Sequence, residues 1–344
     1  MRGDAELTSP RLSLAVAIVV LSSLPQAAWA NSFHFTVTAD PRQYDTLYGK
    51  VLDAMQAKVG GQGAFQVSPG DIDPPANLRA QIDSHFGSGA LWYPLVGNHE
   101  IDTPDDTADM TWLRNEYANG NGVRTPLKDF TNQNGPAGCV ETMFSWDYGN
   151  AHFVSVNEYW NGGAGAGSDA ATAGRTNLAI RDWLAADLAA SNQPFVFVFG
   201  HEPAFPLNRH VGDSLDKYVD DRDAFWDLLE GEGVSVFICG HTHVYSTYQQ
   251  AGGGVWQIDV GNAGNNTYGD GLTFLDITVD DLSVTYSVWR DVGGTGNAFA
   301  LAESWTIGVA AERAPYVVPE PLTLVLCAMS FSSLGLYIRR RGRT

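Results

Sequence analysis

The sequence predicts a mixed α/β domain, with a layered β core and helices outside it. Three observations carry this. Apolar, β-rich runs recur and stop abruptly at a Gly or Asp followed by a polar cluster. Amphipathic helical patterns lie between those runs. Two further pairs of strand-like segments enclose short polar turns.

The first run is "FHFTVTADP" (33–41), followed by the helical pattern "DTLYGKVLDAMQAKV" (45–59). Four later runs read alike: "FQVSPGDID" (65–73), "LWYPLVGNHE" (91–100), "FVFVFGHEP" (195–203) and "VSVFICGHTH" (234–243). Their continuous apolar character fits strands buried on both faces. The helical patterns "NLAIRDWLAADLAAS" (177–191) and "DRDAFWDLLEGEG" (221–233) precede the last two, with apolar residues three and four apart. "TMFSWDYGNAHFVSVNEYW" (142–160) reads as a hairpin around Asp147–Asn150, and "LTFLDITVDDLSVTYSVWR" (272–290) as one around Asp280 and Asp281. Residues 101–138 and 161–174 read as loops, rich in Asp, Asn, Thr and Gly.

The ends stand apart from this body. Residues 1–30 carry Arg11, an apolar stretch and the small-x-small site Ala28-Trp29-Ala30, the pattern of a secretory signal peptide handled by the Sec export machinery. Residues 31–315 are then expected to form one domain. In 316–344, Val318-Pro319-Glu320-Pro321 precedes an apolar stretch, 322–338, and the basic residues Arg339, Arg340, Arg341 and Arg343. The stretch is near the lower limit of about 17 residues for a transmembrane helix. This tail resembles a PEP-CTERM sorting signal, which implies an exosortase as partner and a place in the cell envelope or outside it. An ordinary membrane anchor is the simpler alternative, and both put the body outside the cytoplasm.

Composition narrows the function. The chain has 20 Lys+Arg against 39 Asp+Glu, net −19, and six of the basic residues sit in the two ends. So acidic a surface repels polyanions, which argues against nucleic acid as a partner. An anionic substrate would need a local positive site, and bound metal ions would supply one. Of the three cysteines, Cys139 and Cys239 could pair in an exported protein, but no disulfide framework is visible.

The strand ends deliver Asp40, Asp71, Asn98, His99, His201, His241 and His243, which include four of the eight histidines. In α/β sheets ligands gather at such ends. Carboxylate, carboxamide and imidazole together suit a hard or borderline divalent metal. In "GHTH" the two histidines are i and i+2, on one side of an extended segment, so each can reach a different ion of a close pair. A Gly before Asp71, Asn98, His201 and His241 lets the backbone turn and approach closely.

The ordered set "D…GD…GNHE…GH…GHTH" over 35–243, with "GVWQIDVGNAGN" (254–265) after it, resembles the calcineurin-like metallophosphoesterase family, which includes the purple acid phosphatases. The resemblance implies a four-layer α/β/β/α sandwich carrying two divalent metal ions (Mn, Fe or Zn) at its strand ends. It implies that Asp71 bridges them, that Asn98, His201 and His241 hold the second, and that Asp40 and His243 hold the first. Hydrolysis of a phosphate mono- or diester by a metal-bound hydroxide is implied, with His99 assisting the leaving group and Glu100 orienting that imidazole.

The first motif departs from the family. Most members have D-x-H there; this chain has Asp40-Pro41-Arg42. Purple acid phosphatases place a tyrosine three residues after the "GD" aspartate, where this chain has Pro74. Gln43 or Asp73 could replace the absent imidazole. Arg42 cannot ligate a metal because it stays protonated; it could grip a phosphate oxygen, or pair with a surface carboxylate. Arg209 and His210 could contact substrate, and Trp160, Trp256 and Tyr245 could line the cleft. A non-catalytic envelope or matrix protein that binds a phosphorylated glycan or lipid is the rival reading.

Overall fold

The computed structural model describes residues 32–42, 45–101, 106–117, 135–136, 139–163, 173–264, 268–309 and 313, all within the unit Asn31–Thr344. The expected signal peptide, the expected transmembrane helix 322–338 and Gln43 lie outside the described residues. No helix among the described residues is long and apolar enough to cross a membrane.

The chain forms two six-stranded sheets. In order along the chain, the elements of the first half are β1 (Phe33–Val37), α1 (Asp45–Val59), β2 (Gln66–Ser68), α2 (Pro75–Phe86), β3 (Trp92–Pro94), α3 (Asp106–Glu116), β4 (Phe144–Tyr148) and β5 (Ala151–Ser155). There follow α4 (Leu178–Ala190), β6 (Phe195–Phe199), α5 (Val219–Gly231), β7 (Val236–Cys239), β8 (Ser246–Gln249), β9 (Trp256–Asp259), β10 (Leu272–Val279), β11 (Ser283–Asp291) and β12 (Ala300–Gly308). The first sheet runs β12-β11-β10-β1-β2-β3 and the second β4-β5-β6-β7-β9-β8. β1, β2 and β3 are mutually parallel, as are β5, β6, β7 and β9. Both expected hairpins form, as antiparallel β4–β5 and β10–β11.

The all-apolar strands are buried on both faces for a period-two reason. In β6, Phe195, Phe197 and Phe199 enter the core between the sheets, while Val196 and Val198 face a second core under α4 and α5. β7 divides likewise, Val236 and Ile238 against Phe237 and Cys239. Aromatic rings fill the inter-sheet core: Phe153 lies 5.0 Å from Phe197, 5.1 Å from Phe65 and 5.3 Å from Phe35. In α4, Ile180, Leu184 and Leu188 recur at four-residue spacing on the buried face. Its N-cap Asn177 accepts from the Ala179 and Ile180 amides. With α1 and α2 outside the first sheet, the layers are α/β/β/α.

Three expectations need correction. Residues 106–116 are helical, not loop, because Met110, Leu113 and Tyr117 share a buried face and the Tyr117 hydroxyl donates to Trp92 O at 2.8 Å. Cys139 and Cys239 are buried and not joined to each other: Cys139 Sγ lies 3.2 Å from Thr142 Oγ1, and the Cys239 thiol donates to Ile258 O. Trp256 opens β9, at the end opposite the ligand-bearing ends, and packs 5.6 Å from Trp305, so it does not line the cleft.

Candidate metal centre

Five strands from both sheets end at one place. The turns after β1, β2 and β3 bring Asp40, Asp71, Asn98 and His99; those after β6 and β7 bring His201, His241 and His243. The backbone there is forced. Among the described residues, five non-glycine residues have positive φ: Asp40 (49°), Asp71 (52°), His210 (55°), His243 (60°) and His241 (71°). The left-handed region costs L-residues energy and is retained where surroundings over-determine it. Four of the five were expected ligands. The preceding glycines make room: a Cβ on Gly97 would overlap Asp71, and one on Gly240 the Asp40 carboxylate.

One cluster centres on His201 Nε2. It lies 3.2 Å from Asn98 Oδ1, 3.2 Å from His241 Nδ1 and 3.4 Å from Asp71 Oδ1, and Asn98 Oδ1 is 3.1 Å from His241 Nδ1. His201 Nδ1 donates to Pro69 O at 2.8 Å, which leaves Nε2 with its lone pair turned into the cluster. Three donors are thus mutually close, and Asp71 joins them through His201. Donors bound to one divalent ion at about 2.0–2.2 Å stand roughly 3.0–3.5 Å apart, so the spacing fits a shared cation.

A second cluster joins Asp40, Asp71 and His243, whose ligand atoms all lie within 4.8 Å of one another. His243 Nε2 is 3.5 Å from Asp40 Oδ1, and both Asp40 oxygens accept the His241 amide, at 2.9 and 3.2 Å. Asp71 belongs to both clusters.

Electrostatics agree with the donor chemistry. Burial, then the neighbouring Asp71 and Asp259, push the Asp40 carboxyl well above its usual range. Burial alone would raise Asp71, but His201, His99 and Arg42 bring it below the usual range. Burial lowers all three imidazoles: His201, His241 strongly, and His243 to about 4. Burial thus favours the neutral imidazole, the form that ligates a metal. Among the described residues, His241 Nε2 and His243 Nδ1 are buried without a hydrogen-bond partner. Two adjacent buried carboxylates with neutral imidazoles are a donor set that a cation completes.

The departure in the first motif has a definite geometry. Arg42 Nε lies 2.8 Å from Asp73 Oδ1 and Nη2 donates to Asp73 Oδ2 at 3.3 Å. The carboxylate partner is thus not a surface group but Asp73, only 7% exposed. Asp73 faces the guanidinium and is not among the clustered donors.

His99 stands at the edge, its side chain 28% exposed and Nε2 3.8 Å from Asp71 Oδ2. Glu100 does not orient it. The Glu100 carboxylate accepts the amides of Gly97 (2.6 Å), Ile72 (2.8 Å) and Asp71 (3.1 Å), so it clamps the turns that carry ligands. The His210 ring lies 4.1 Å from that of His241, and its Nε2 accepts from Arg209 Nη2 at 3.1 Å. Trp160 is buried and donates to Gly163 O, and the Tyr245 hydroxyl donates to Glu303.

Three buried acids were not anticipated. Glu158 accepts the amides of His201 (3.1 Å) and Glu202 (2.7 Å), and a Cβ on Gly200 would strike it. Glu202 accepts from Gly174 and from the Tyr159 hydroxyl. Asp259 accepts the Thr242 hydroxyl at 2.5 Å, between the two "GHTH" ligands. The signal in the sequence is an acid inside or beside an apolar run, as in "FVSVNEYW" and "WQIDV".

A family model described as calcineurin-like phosphoesterase matches residues 67–245. Among curated proteins, an acid phosphatase of Aspergillus ficuum is 26% identical over 267 residues, covering 61% of this chain and 42% of the relative. A probable inactive purple acid phosphatase 9 of Arabidopsis thaliana is 24% identical over 183 residues, covering 47% of this chain and 25% of the relative. The chain therefore spans less than half the length of these relatives. A purple acid phosphatase from yellow lupin (Lupinus luteus) seeds superposes with TM-score 0.55 at 16% identity, over 83% of this chain and 55% of that one. PhoD superposes with TM-score 0.55 at 13% identity, over 82% of this chain and 70% of that one. Ordered motifs, layered sheets and a family match over residues 67–245 agree: the chain belongs to the calcineurin-like phosphoesterase family.

Proposed function

We propose that this protein is an exported hydrolase of phosphate esters working with two divalent ions. The observation that carries this is Asp71, a buried carboxylate common to two donor clusters at one set of strand ends. Asp71, Asn98, His201 and His241 would hold one ion, and Asp40, Asp71 and His243 the other. Bound there, the ions would supply charge against the phosphate oxygens and an activated water.

The chain's own residues do the rest. Glu100 and Glu158 hold the ligand-bearing turns by their amides, so the donors are arranged before a substrate arrives. His99, at the exposed edge, would give a proton to the departing oxygen. His210 packs on His241 and narrows the mouth.

Export and retention in the envelope, through residues 1–30 and 316–344 with the Sec machinery and an exosortase, belong to the same reading. Arg313, the last described residue, donates to Leu188 O, Ser191 O, Gln193 O and Glu232 O, just before β6 and β7 begin. The rival, a non-catalytic binder of a phosphorylated glycan or lipid, draws support from the Arg42–Asp73 pair at the position of the family's histidine.

The test is hydrolysis of aryl phosphate mono- and diesters with added manganese or zinc. The expected result is metal-dependent turnover that falls roughly 10²–10⁴-fold in His99→Ala and to background in Asp71→Asn. No turnover with any divalent metal, in protein shown to bind the metal, would overturn it in favour of the rival.

A further inference from the structure

We infer that the mouth of this site carries a subsite for an aromatic group on the alcohol side of the substrate, with Tyr268 as its platform. The inference rests on the phosphoester reading above and adds a substrate class to it.

The starting point is Arg209. Its Nη1 donates to Thr242 O at 2.6 Å and its Nη2 to His210 Nε2 at 3.1 Å. The guanidinium is thereby fixed between the loop after β6 and the "GHTH" turn. Its flat face lies on the Tyr268 ring, 3.4 Å from the centroid. Tyr268 also stands edge-to-face with His243, centroids 5.4 Å apart at 72°. A guanidinium under one face and an imidazole at the edge set the phenol ring beside a ligand of the Asp40 cluster.

With these contacts made, Tyr268 is still 51% exposed. Two other exposed apolar residues flank Arg209 and His210 in the chain: Leu207, 49% exposed, and Val211, 65% exposed. Exposed apolar and aromatic groups thus stand beside Arg209 and His210. Rigid aromatic anchors with a few polar groups are how small-molecule sites fix an apolar part of a ligand. A planar ring can stack on Tyr268 while its phosphate reaches the donor clusters.

The test measures binding by calorimetry, with methylphosphonate and benzylphosphonate on the manganese-loaded full chain. Phosphonates cannot be hydrolysed, so leaving-group chemistry does not enter. The expected result is that benzylphosphonate binds roughly tenfold more tightly than methylphosphonate. Tyr268→Phe should keep that ratio and Tyr268→Ala should bring it to about one, with methylphosphonate binding serving as the check on folding. Equal affinity for the two ligands in the parent chain, or a ratio unchanged in Tyr268→Ala, overturns the aromatic subsite and leaves the phosphoester reading standing. Binding of neither ligand overturns both.

Discussion

The two donor clusters share Asp71 yet differ in how they are built. The His201 cluster has three donors 3.1–3.2 Å apart with Asp71 joined 3.4 Å from His201, one imidazole set by Pro69 O and its turn clamped by Glu158. The Asp40 cluster has three donors within 4.8 Å, and beside it an arginine–aspartate pair where the family has a histidine. The comparison teaches that affinity should follow donor number and support: one ion held tightly, the other weakly, with a common carboxylate coupling them.

The largest effect should come from breaking what is shared. Asp71→Asn removes a charge from both clusters, and metal analysis should find both ions reduced; loss from one cluster alone would contradict the bridge. Next, His201→Ala should release the tight ion and His243→Ala only the weak one, read as ions per chain after gel filtration.

Support can be tested apart from ligation. Glu158→Ala removes the acceptor for two amides and should weaken the tight site roughly 10–100-fold by metal titration. Glu158→Gln keeps an acceptor oxygen and should recover most of that loss. Arg42→His sharpens the comparison from the other side. It supplies the family's ligand and dissolves the Asp73 pair, so the weak ion should be held roughly tenfold or more tightly.

The smallest effect concerns a region outside both clusters. His152 lies 2.6 Å from Asp147 and 3.0 Å from Asp187. Burial opposes its charge, but hydrogen bonds to Asp147 and Asp187 raise it above the usual 6.5. Burial likewise opposes the Asp147 charge, and the bond to His152 brings that carboxyl below its usual 3.8. The raised His152 stabilises fully below about pH 6.5 and loses this as pH rises through its folded value. The depressed Asp147 stabilises above about pH 3.8 and loses this as pH falls. The pair should help most between about pH 4 and 6.5. His152→Gln should therefore narrow the gap in Tm between pH 6 and pH 9, with metal content unchanged.

The site was legible because each ligand sits where an apolar run stops, and strand ends put their chemistry into short contiguous text. "GNHE" and "GHTH" expose residue type and spacing together. Glu158 and Asp259 show in the text as acids in apolar runs, but the amides and hydroxyl they hold lie across tertiary contacts that only the fold supplies. Arg42 was visible as a departure, but its partner Asp73 required the fold to bring residues 42 and 73 together. Helix α3 hid in a stretch rich in Asp and Thr, since Met110, Leu113 and Tyr117 supply its apolar face sparsely. Helix α2 was readable in hindsight from Pro75 in its first turn and from Leu78 and Ile82. β12, exposed along most of its length, offers no buried run to recognise.

The most direct measurement is ions per chain against rising chelator concentration, in the parent chain and in Arg42→His. The account predicts two ions at the start and release in two steps. The first step should vanish in His243→Ala and move to higher chelator in Arg42→His. Two ions lost in a single step, with no change in Arg42→His, would contradict it.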